Sequence, residues 1–118
     1  MSQALLIKGA RLIDPVAGTD AISDLLVVEG RITDPTAAPN DARIIDGKGL
    51  VLTPGFIDLH THLREPGQED KESIKSGTAA GARGGFTPLF CMPNTEPAID
   101  NSTVVDFIKQ QAAENGSV

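Results

Sequence analysis

The chain has 118 residues, of which 40% are hydrophobic and 22% are charged, so its composition suits a folded domain and excludes a disordered polypeptide. With 16 acidic against 10 basic residues the net charge is −6, which argues against a surface that binds nucleic acid. No apolar run is long enough to span a bilayer, and no secretory signal is visible. We therefore expect a cytoplasmic protein without a membrane partner.

The first region, residues 1–53, contains short β-rich segments separated by turn residues. Asp46-Gly47 and Glu29-Gly30 are strong turn dipeptides, and residues 34–41 hold two prolines and predict a loop. This spacing predicts antiparallel strands that form part of a small sandwich or open barrel. No ligand-binding residues are apparent here. The predicted strands are residues 5–7, 11–13, 25–28, 31–33, 43–45 and 50–52.

The second region, residues 54–118, alternates strands with helices. The first helix carries mostly small residues on one face and could pack close to a sheet, and Asn101 or Ser102 can cap the second. A strand–helix–strand–helix order predicts two βα units with parallel strands. The predicted elements are strand 56–59, helix 70–82, strand 86–92 and helix 101–113.

Both histidines of the chain lie at the end of the first of these strands. Because alternate strand residues share a face, Asp58, His60 and His62 should point one way. Ile57 and Leu59 should then point towards the helix layer. Two imidazoles roughly 6.6 Å apart at Cα can converge on one metal ion. The ordinary alternative is two hydrogen-bonded histidines, but α/β folds place active sites at this end of a parallel strand, which favours metal ligation.

Two further polar residues follow the two strands. Arg64 can hold a substrate carboxylate through two parallel hydrogen bonds, although a surface ion pair with Glu65 or Glu69 is the common alternative. Asn94 follows the second strand and should emerge on the same rim as Arg64. Its amide suits an amide or carboxylate ligand, and its alternative role is to stabilise a turn.

Three segments carry a resemblance that covers essentially the whole chain. They are Gly-Phe-Ile-Asp-Leu-His-Thr-His-Leu-Arg-Glu-Pro-Gly at 55–67, Gly-Phe-Thr at 85–87 and Cys-Met-Pro-Asn-Thr at 91–95. Together they resemble the beginning of a dihydroorotase of the longer bacterial type, in the amidohydrolase superfamily. The resemblance implies a small β-sandwich-like region at 1–53, followed at 54–118 by the first two βα units of a (β/α)8 metallohydrolase barrel. Pro88 departs from the family pattern and predicts an irregular second strand.

The resemblance also implies a function and its site residues. His60 and His62 would bind zinc, as one or two ions, and Arg64 and Asn94 would grip the carboxylate of dihydroorotate. The reaction implied is the reversible hydrolysis of (S)-dihydroorotate to N-carbamoyl-L-aspartate in pyrimidine biosynthesis. The remaining metal ligands and the general base are expected from later strands, so no catalytic residue is expected within this chain, and the chain alone should be inactive.

Two alternatives and several partners stay open. The protein could be another cyclic amidohydrolase, of the allantoinase or the hydantoinase and dihydropyrimidinase type, although allantoinase-like relatives tend to carry Asn at the Arg64 position. It could instead be a non-catalytic assembly module, against which the intact histidine pair argues. The partners implied are the small-molecule substrate, the remainder of the barrel in the same or another chain, a homo-oligomer, or a complex with aspartate transcarbamoylase.

Overall fold

The computed structural model describes residues 4–118, which divide into two compact units between Pro54 and Gly55. None of the helices in this part of the chain has the length and apolar character that a membrane crossing requires.

The first unit is a single mixed β-sheet. Its strands are β1 (Ala4–Asp14), β2 (Thr19–Val28), β3 (Arg31–Thr33), β4 (Arg43–Asp46) and β5 (Val51–Leu52). The strand order is β3-β2-β1-β4, and β5 also pairs with β1. All five described strands lie in this one sheet, so the second layer of the expected sandwich is not found among residues 4–54.

The predicted antiparallel arrangement is only partly right. β1 pairs antiparallel with β2, and β2 with β3, but β4 and β5 run parallel to β1. The predicted loop at 34–41 contains a short 3-10 helix, Pro35–Ala37, and it returns the chain so that β4 enters beside β1 in the same direction. A parallel pair requires such a crossover, which local turn signals do not reveal.

β1 is one strand where two short ones were predicted. Lys8 and Gly9 form a bulge, because the pairing register with β2 shifts between Ile7 and Ala10. Gly9 has a positive φ of 69°, and its N–H donates to the Asp24 carboxylate at 2.8 Å instead of joining the ladder. The predicted turn at Glu29-Gly30 is confirmed, since it joins β2 to β3 with positive φ at both residues.

The second unit contains two parallel strands, each followed by a helix. The elements are β6 (Phe56–Thr61), α1 (Ile74–Arg83), β7 (Phe86–Cys91) and α2 (Ser102–Asn115). β6 pairs parallel with β7, which confirms the predicted strand direction. The predicted cap of the second helix is also confirmed, because the Asn101 side chain accepts the Val104 N–H at 3.2 Å.

The first helix begins four residues later than predicted, at Ile74 rather than at Asp70. The acidic residues before it lie in turns, and Ser73 is the N-cap, with its side chain accepting the Ser76 N–H. The Ser73 N–H in turn donates to the Ser76 hydroxyl oxygen, so the two serines cap each other's backbone N–H groups. The acidic residues therefore precede the helix and do not lie in its first turn.

The pairing of β6 with β7 contains two register shifts. Phe56 pairs with Phe86 and Asp58 with Leu89, so Thr87 and Pro88 oppose a single residue of β6. This irregularity at Pro88 was predicted and is confirmed. The second shift follows Asp58 and falls in β6, at Leu59 and His60. The strict alternation expected for this strand is therefore interrupted directly at the candidate site.

The apolar contacts of α1 differ from the prediction. Ile57 and Leu59 were expected to meet the helix layer but are 60% and 69% exposed. Leu63 and Leu89 pack against the helix instead. A Cβ at Gly77 would lie 2.5 Å from Leu63 Cδ2, and one at Gly81 would lie 2.8 Å from Leu89 Cδ1. The small helix face predicted from the sequence thus allows the close approach, but Leu63, after β6, and Leu89, in β7, occupy it in place of Ile57 and Leu59.

Candidate functional site

The two histidines lie side by side at the end of β6. His60 is within the strand, and His62 follows its last residue. Their ring centroids are 5.2 Å apart, the ring planes are inclined by 63°, and both residues are exposed. Imidazole nitrogen is a favoured ligand of zinc, and two adjacent exposed rings can offer nitrogens to one ion. In residues 4–118, however, no group of three or more His, Cys, Asp or Glu side chains is placed to hold a metal.

Asp58 interacts with the backbone that carries the first histidine. Its carboxylate accepts the His60 N–H at 2.9 Å, and this bond lowers the pKa of Asp58 below its ordinary value. The carboxylate satisfies an N–H that the bulge removes from the strand ladder and so fixes the backbone at His60.

Asn94 contacts the second histidine directly. His62 Nδ1 and Asn94 Oδ1 are 3.0 Å apart, although 32 positions separate the residues along the chain. In the tautomer with a proton on Nδ1, His62 donates to the amide oxygen and keeps Nε2 as an acceptor. The Asn94 side chain therefore bonds to a residue that follows β6 and does not stabilise its own turn after β7.

Glu65 and Glu69, the alternative partners expected for Arg64, bind backbone N–H groups instead. Each glutamate has another acceptor role: Glu65 accepts the Ile74 N–H and Glu69 accepts the Gly67 N–H, both at 2.8 Å. The only ion pair between side chains in residues 4–118 joins Arg11 to Asp20, which are both far from Arg64 in the sequence. Arg64 is a half-buried residue, and its guanidinium forms no ion pair with Glu65 or Glu69.

The loop after β6 and the loop after β7 pack against each other. The Glu96 N–H donates to the Pro66 carbonyl at 3.0 Å, and Gln68 Nε2 donates to the Asn94 carbonyl at 3.4 Å. Gly67 has a φ of 92°, and a Cβ there would overlap the Glu96 carbonyl. These contacts hold the loops that carry Arg64 and Asn94 on one rim of the unit.

The structure brings three of the four predicted site residues into direct contact. His60 adjoins His62, and His62 bonds to Asn94. Arg64 is connected to them through its loop, and no described hydrogen bond joins its guanidinium to the other three.

Sequence reasoning missed the residues that hold this arrangement together. Leu63 is buried beneath α1, Glu65 binds the first residue of that helix, and Gln68 spans the two loops. Of these three, only Leu63 gave a signal, since leucine is among the residue types most often fully buried.

A family model described as dihydro-orotase-like matches residues 49–118, which is more than half of the chain. The chain is also similar to curated dihydroorotases. It is 49% identical over 118 residues to that of Syntrophus aciditrophicus strain SB and 50% identical over 117 residues to that of Geobacter metallireducens. Both matches cover 97% of this chain but 28% of the relative, so the chain spans little more than a quarter of their length.

Two solved structures are similar in fold. The L-hydantoinase (dihydropyrimidinase) from Arthrobacter aurescens has a TM-score of 0.72 and 24% identity, with 95% of this chain and 25% of that chain covered. A molinate hydrolase has a TM-score of 0.67 and 22% identity, with 96% of this chain and 27% of that chain covered. At these identities the similarity concerns the fold alone.

Proposed function

Because the chain belongs to the dihydro-orotase-like family, we propose that the protein carrying it is a zinc-dependent dihydroorotase. It would catalyse the reversible hydrolysis of (S)-dihydroorotate to N-carbamoyl-L-aspartate, a step of pyrimidine synthesis. In this proposal the second unit supplies two βα units of a (β/α)8 barrel. The observation that carries it is the contact of His62 with Asn94, which joins a pair of candidate metal ligands to a candidate substrate ligand.

The donor set supports zinc as the metal. Two exposed imidazoles 5.2 Å apart at their centroids can direct nitrogens to a common point, and the Asn94 contact leaves the Nε2 of His62 available. Zinc, when bound, lowers the pKa of a water molecule and polarises a carbonyl. A catalytic zinc usually has three protein ligands, so we propose that further ligands and the general base come from polypeptide outside the described residues.

In the proposed reaction, the residues of this chain bind the substrate carboxylate and orient the substrate. Arg64 offers a planar fork that can take both oxygens of the dihydroorotate carboxylate. Asn94 can add a donor from its NH2 group while its oxygen remains on His62. Both residues lie on loops that pack together, so the carboxylate would be fixed beside the histidines and the ring amide presented to the metal site.

A substrate panel tests this function. The protein expressed from its complete native gene should be supplied with zinc and assayed with dihydroorotate, hydantoin and allantoin. We expect hydrolysis of dihydroorotate to exceed that of the two substrates without a ring carboxylate by at least about a hundredfold, because they leave Arg64 without its partner. Equal or greater turnover of hydantoin or allantoin would assign the protein to another cyclic amidohydrolase activity. No turnover of any of the three would favour an assembly role.

A further inference from the structure

The backbone at Arg64 is held in an unusual conformation. Arg64 has a φ of 63°, in the left-handed region that non-glycine residues rarely occupy. The Glu65 N–H donates to the Leu63 carbonyl at 2.8 Å, which closes a γ-turn centred on Arg64. A γ-turn with positive φ is rare and strained, and it persists only when its surroundings enforce it. The residues on either side of Arg64 must therefore be anchored.

Leu63 anchors the turn on its N-terminal side. It is 6% exposed and packs against Gly77 in α1, where a Cβ would lie 2.5 Å from Leu63 Cδ2. The missing side chain at Gly77 provides the space that Leu63 fills. This contact sets the distance between the turn and the helix. An apolar contact has no directional hydrogen bond, so it does not orient the backbone that follows Arg64.

Glu65 anchors the turn on its C-terminal side. Its carboxylate accepts the N–H of Ile74 at 2.8 Å, and Ile74 is the first residue of α1 and is 1% exposed. The first N–H groups of a helix lack partners within the helix and carry a partial positive charge, so a carboxylate is stabilising there. Ser73 caps the N–H of Ser76, a different group. Glu65 therefore has its own function at this terminus.

We propose that Glu65 is a positioning residue that holds the Arg64 guanidinium in place for the substrate carboxylate. Its bond to α1 keeps the γ-turn closed, and the turn determines where the Arg64 side chain leaves the backbone. The inference rests on the proposed function, since it assumes that Arg64 binds the dihydroorotate carboxylate. It assigns to the start of α1 a role in substrate recognition, although no side chain of that helix need touch the substrate.

A double-mutant cycle in the protein from its complete native gene tests the role. Glu65→Ala should lower kcat/KM for dihydroorotate about tenfold or more, mainly by raising KM, because the guanidinium is no longer held in place. The same substitution in an Arg64→Ala background should change kcat/KM less than twofold, since there is no guanidinium left to position. Glu65→Gln, whose amide oxygen can still accept the Ile74 N–H, should recover most of the loss.

Asp70→Ala is the matched control, because Asp70 is an exposed acid of the same loop and lies outside the site. It should leave kcat/KM unchanged. An equal loss from Glu65→Ala in both Arg64 backgrounds would mean a general structural role and would overturn the positioning role while leaving the proposed function standing. A wild-type protein without dihydroorotase turnover would overturn both. If Glu65→Ala does not fold, Glu65→Lys replaces it in the cycle, because a lysine side chain cannot accept the Ile74 N–H, and wild-type kcat/KM in Glu65→Lys would overturn the positioning role.

Discussion

The Nδ1 atom of His62 and the Oδ1 atom of Asn94 lie 3.0 Å apart, which connects the ends of two parallel strands. A metal-binding histidine is usually oriented through its second ring nitrogen, and the group that orients it affects metal affinity. In the proposed site Asn94 would do this for His62 and would donate from its NH2 group to the substrate. One side chain can therefore link a metal site to a substrate site.

Substitutions at Asn94 should separate these two roles. Asn94→Ala removes the acceptor from His62 Nδ1, so zinc affinity should fall by about tenfold or more. Asn94→Asp keeps an acceptor for His62 but places a negative charge near the substrate carboxylate. It should retain zinc and raise KM for dihydroorotate. Zinc affinity is measured by competition with a chromophoric chelator, and wild-type affinity in Asn94→Ala would show that the contact does not orient the histidine.

Replacing His60 should remove metal and activity together. His60→Ala deletes one of the two imidazoles that we propose as zinc ligands, and a site with one ligand fewer should lose most of its affinity. Elemental analysis of the purified protein should give a zinc content near zero, and dihydroorotase activity should fall to background. Asp70→Ala serves as a control and should keep both. A full complement of zinc in His60→Ala would contradict the assignment.

The site could be predicted from the sequence as far as local spacing determines it. His60 and His62 are two positions apart, and this short separation keeps their rings adjacent even though a bulge interrupts the strand there. The position of Asn94 on the same rim also follows from the sequence, because parallel strands end at the same edge of a sheet. The bulge at His60 and the bond from Glu65 to Ile74 could not be predicted, because each depends on partners that the folded chain brings together.

The predicted fold is wrong where it depends on contacts between segments that are distant in the sequence. The turn at Glu29-Gly30 follows from residues that are adjacent in the sequence, and it is where the sequence predicted it. The parallel pairing of β4 with β1 depends on a crossover between distant segments, which turn residues do not encode. The predicted start of α1 is too early because acidic residues favour a helix start, whereas the cap at Ser73 decides where the helix begins.

Gly67 should be intolerant of a side chain. Its positive φ would strain any other residue, and a Cβ would overlap the Glu96 carbonyl, where the two site loops meet. Gly85→Ala is the matched control, because Gly85 also has a positive φ but its Cβ would meet Phe56 only at 3.7 Å. We expect Gly85→Ala to lower the free energy of unfolding by about 1–2 kcal/mol. Gly67→Ala should cost a further 1–3 kcal/mol or so from overpacking.

Denaturant unfolding of both variants measures this difference. Because backbone strain is common to the two glycines, the extra loss at Gly67 reports the contact between the loops. Equal destabilisation of the two variants would mean that the loops move apart readily and do not hold each other.

Arg64→Lys should weaken substrate binding and leave the metal site intact. Lysine keeps the positive charge but loses the planar fork that binds both carboxylate oxygens. The loss of a hydrogen bond between charged groups costs about 1.5–3 kcal/mol, so kcat/KM for dihydroorotate should fall roughly tenfold to a hundredfold. Zinc content should stay at the wild-type level, because the Arg64 side chain makes no described contact with His60 or His62.

Two comparisons make this result specific to the carboxylate. Arg83→Lys, at the exposed end of α1, is the control for the substitution itself and should leave kcat/KM unchanged. Any slow hydrolysis of hydantoin, which has no ring carboxylate, should be equally fast in the wild type and in Arg64→Lys, because the guanidinium has no partner on that substrate. Steady-state kinetics that match the wild type for dihydroorotate in Arg64→Lys would rule out the carboxylate as the partner of Arg64.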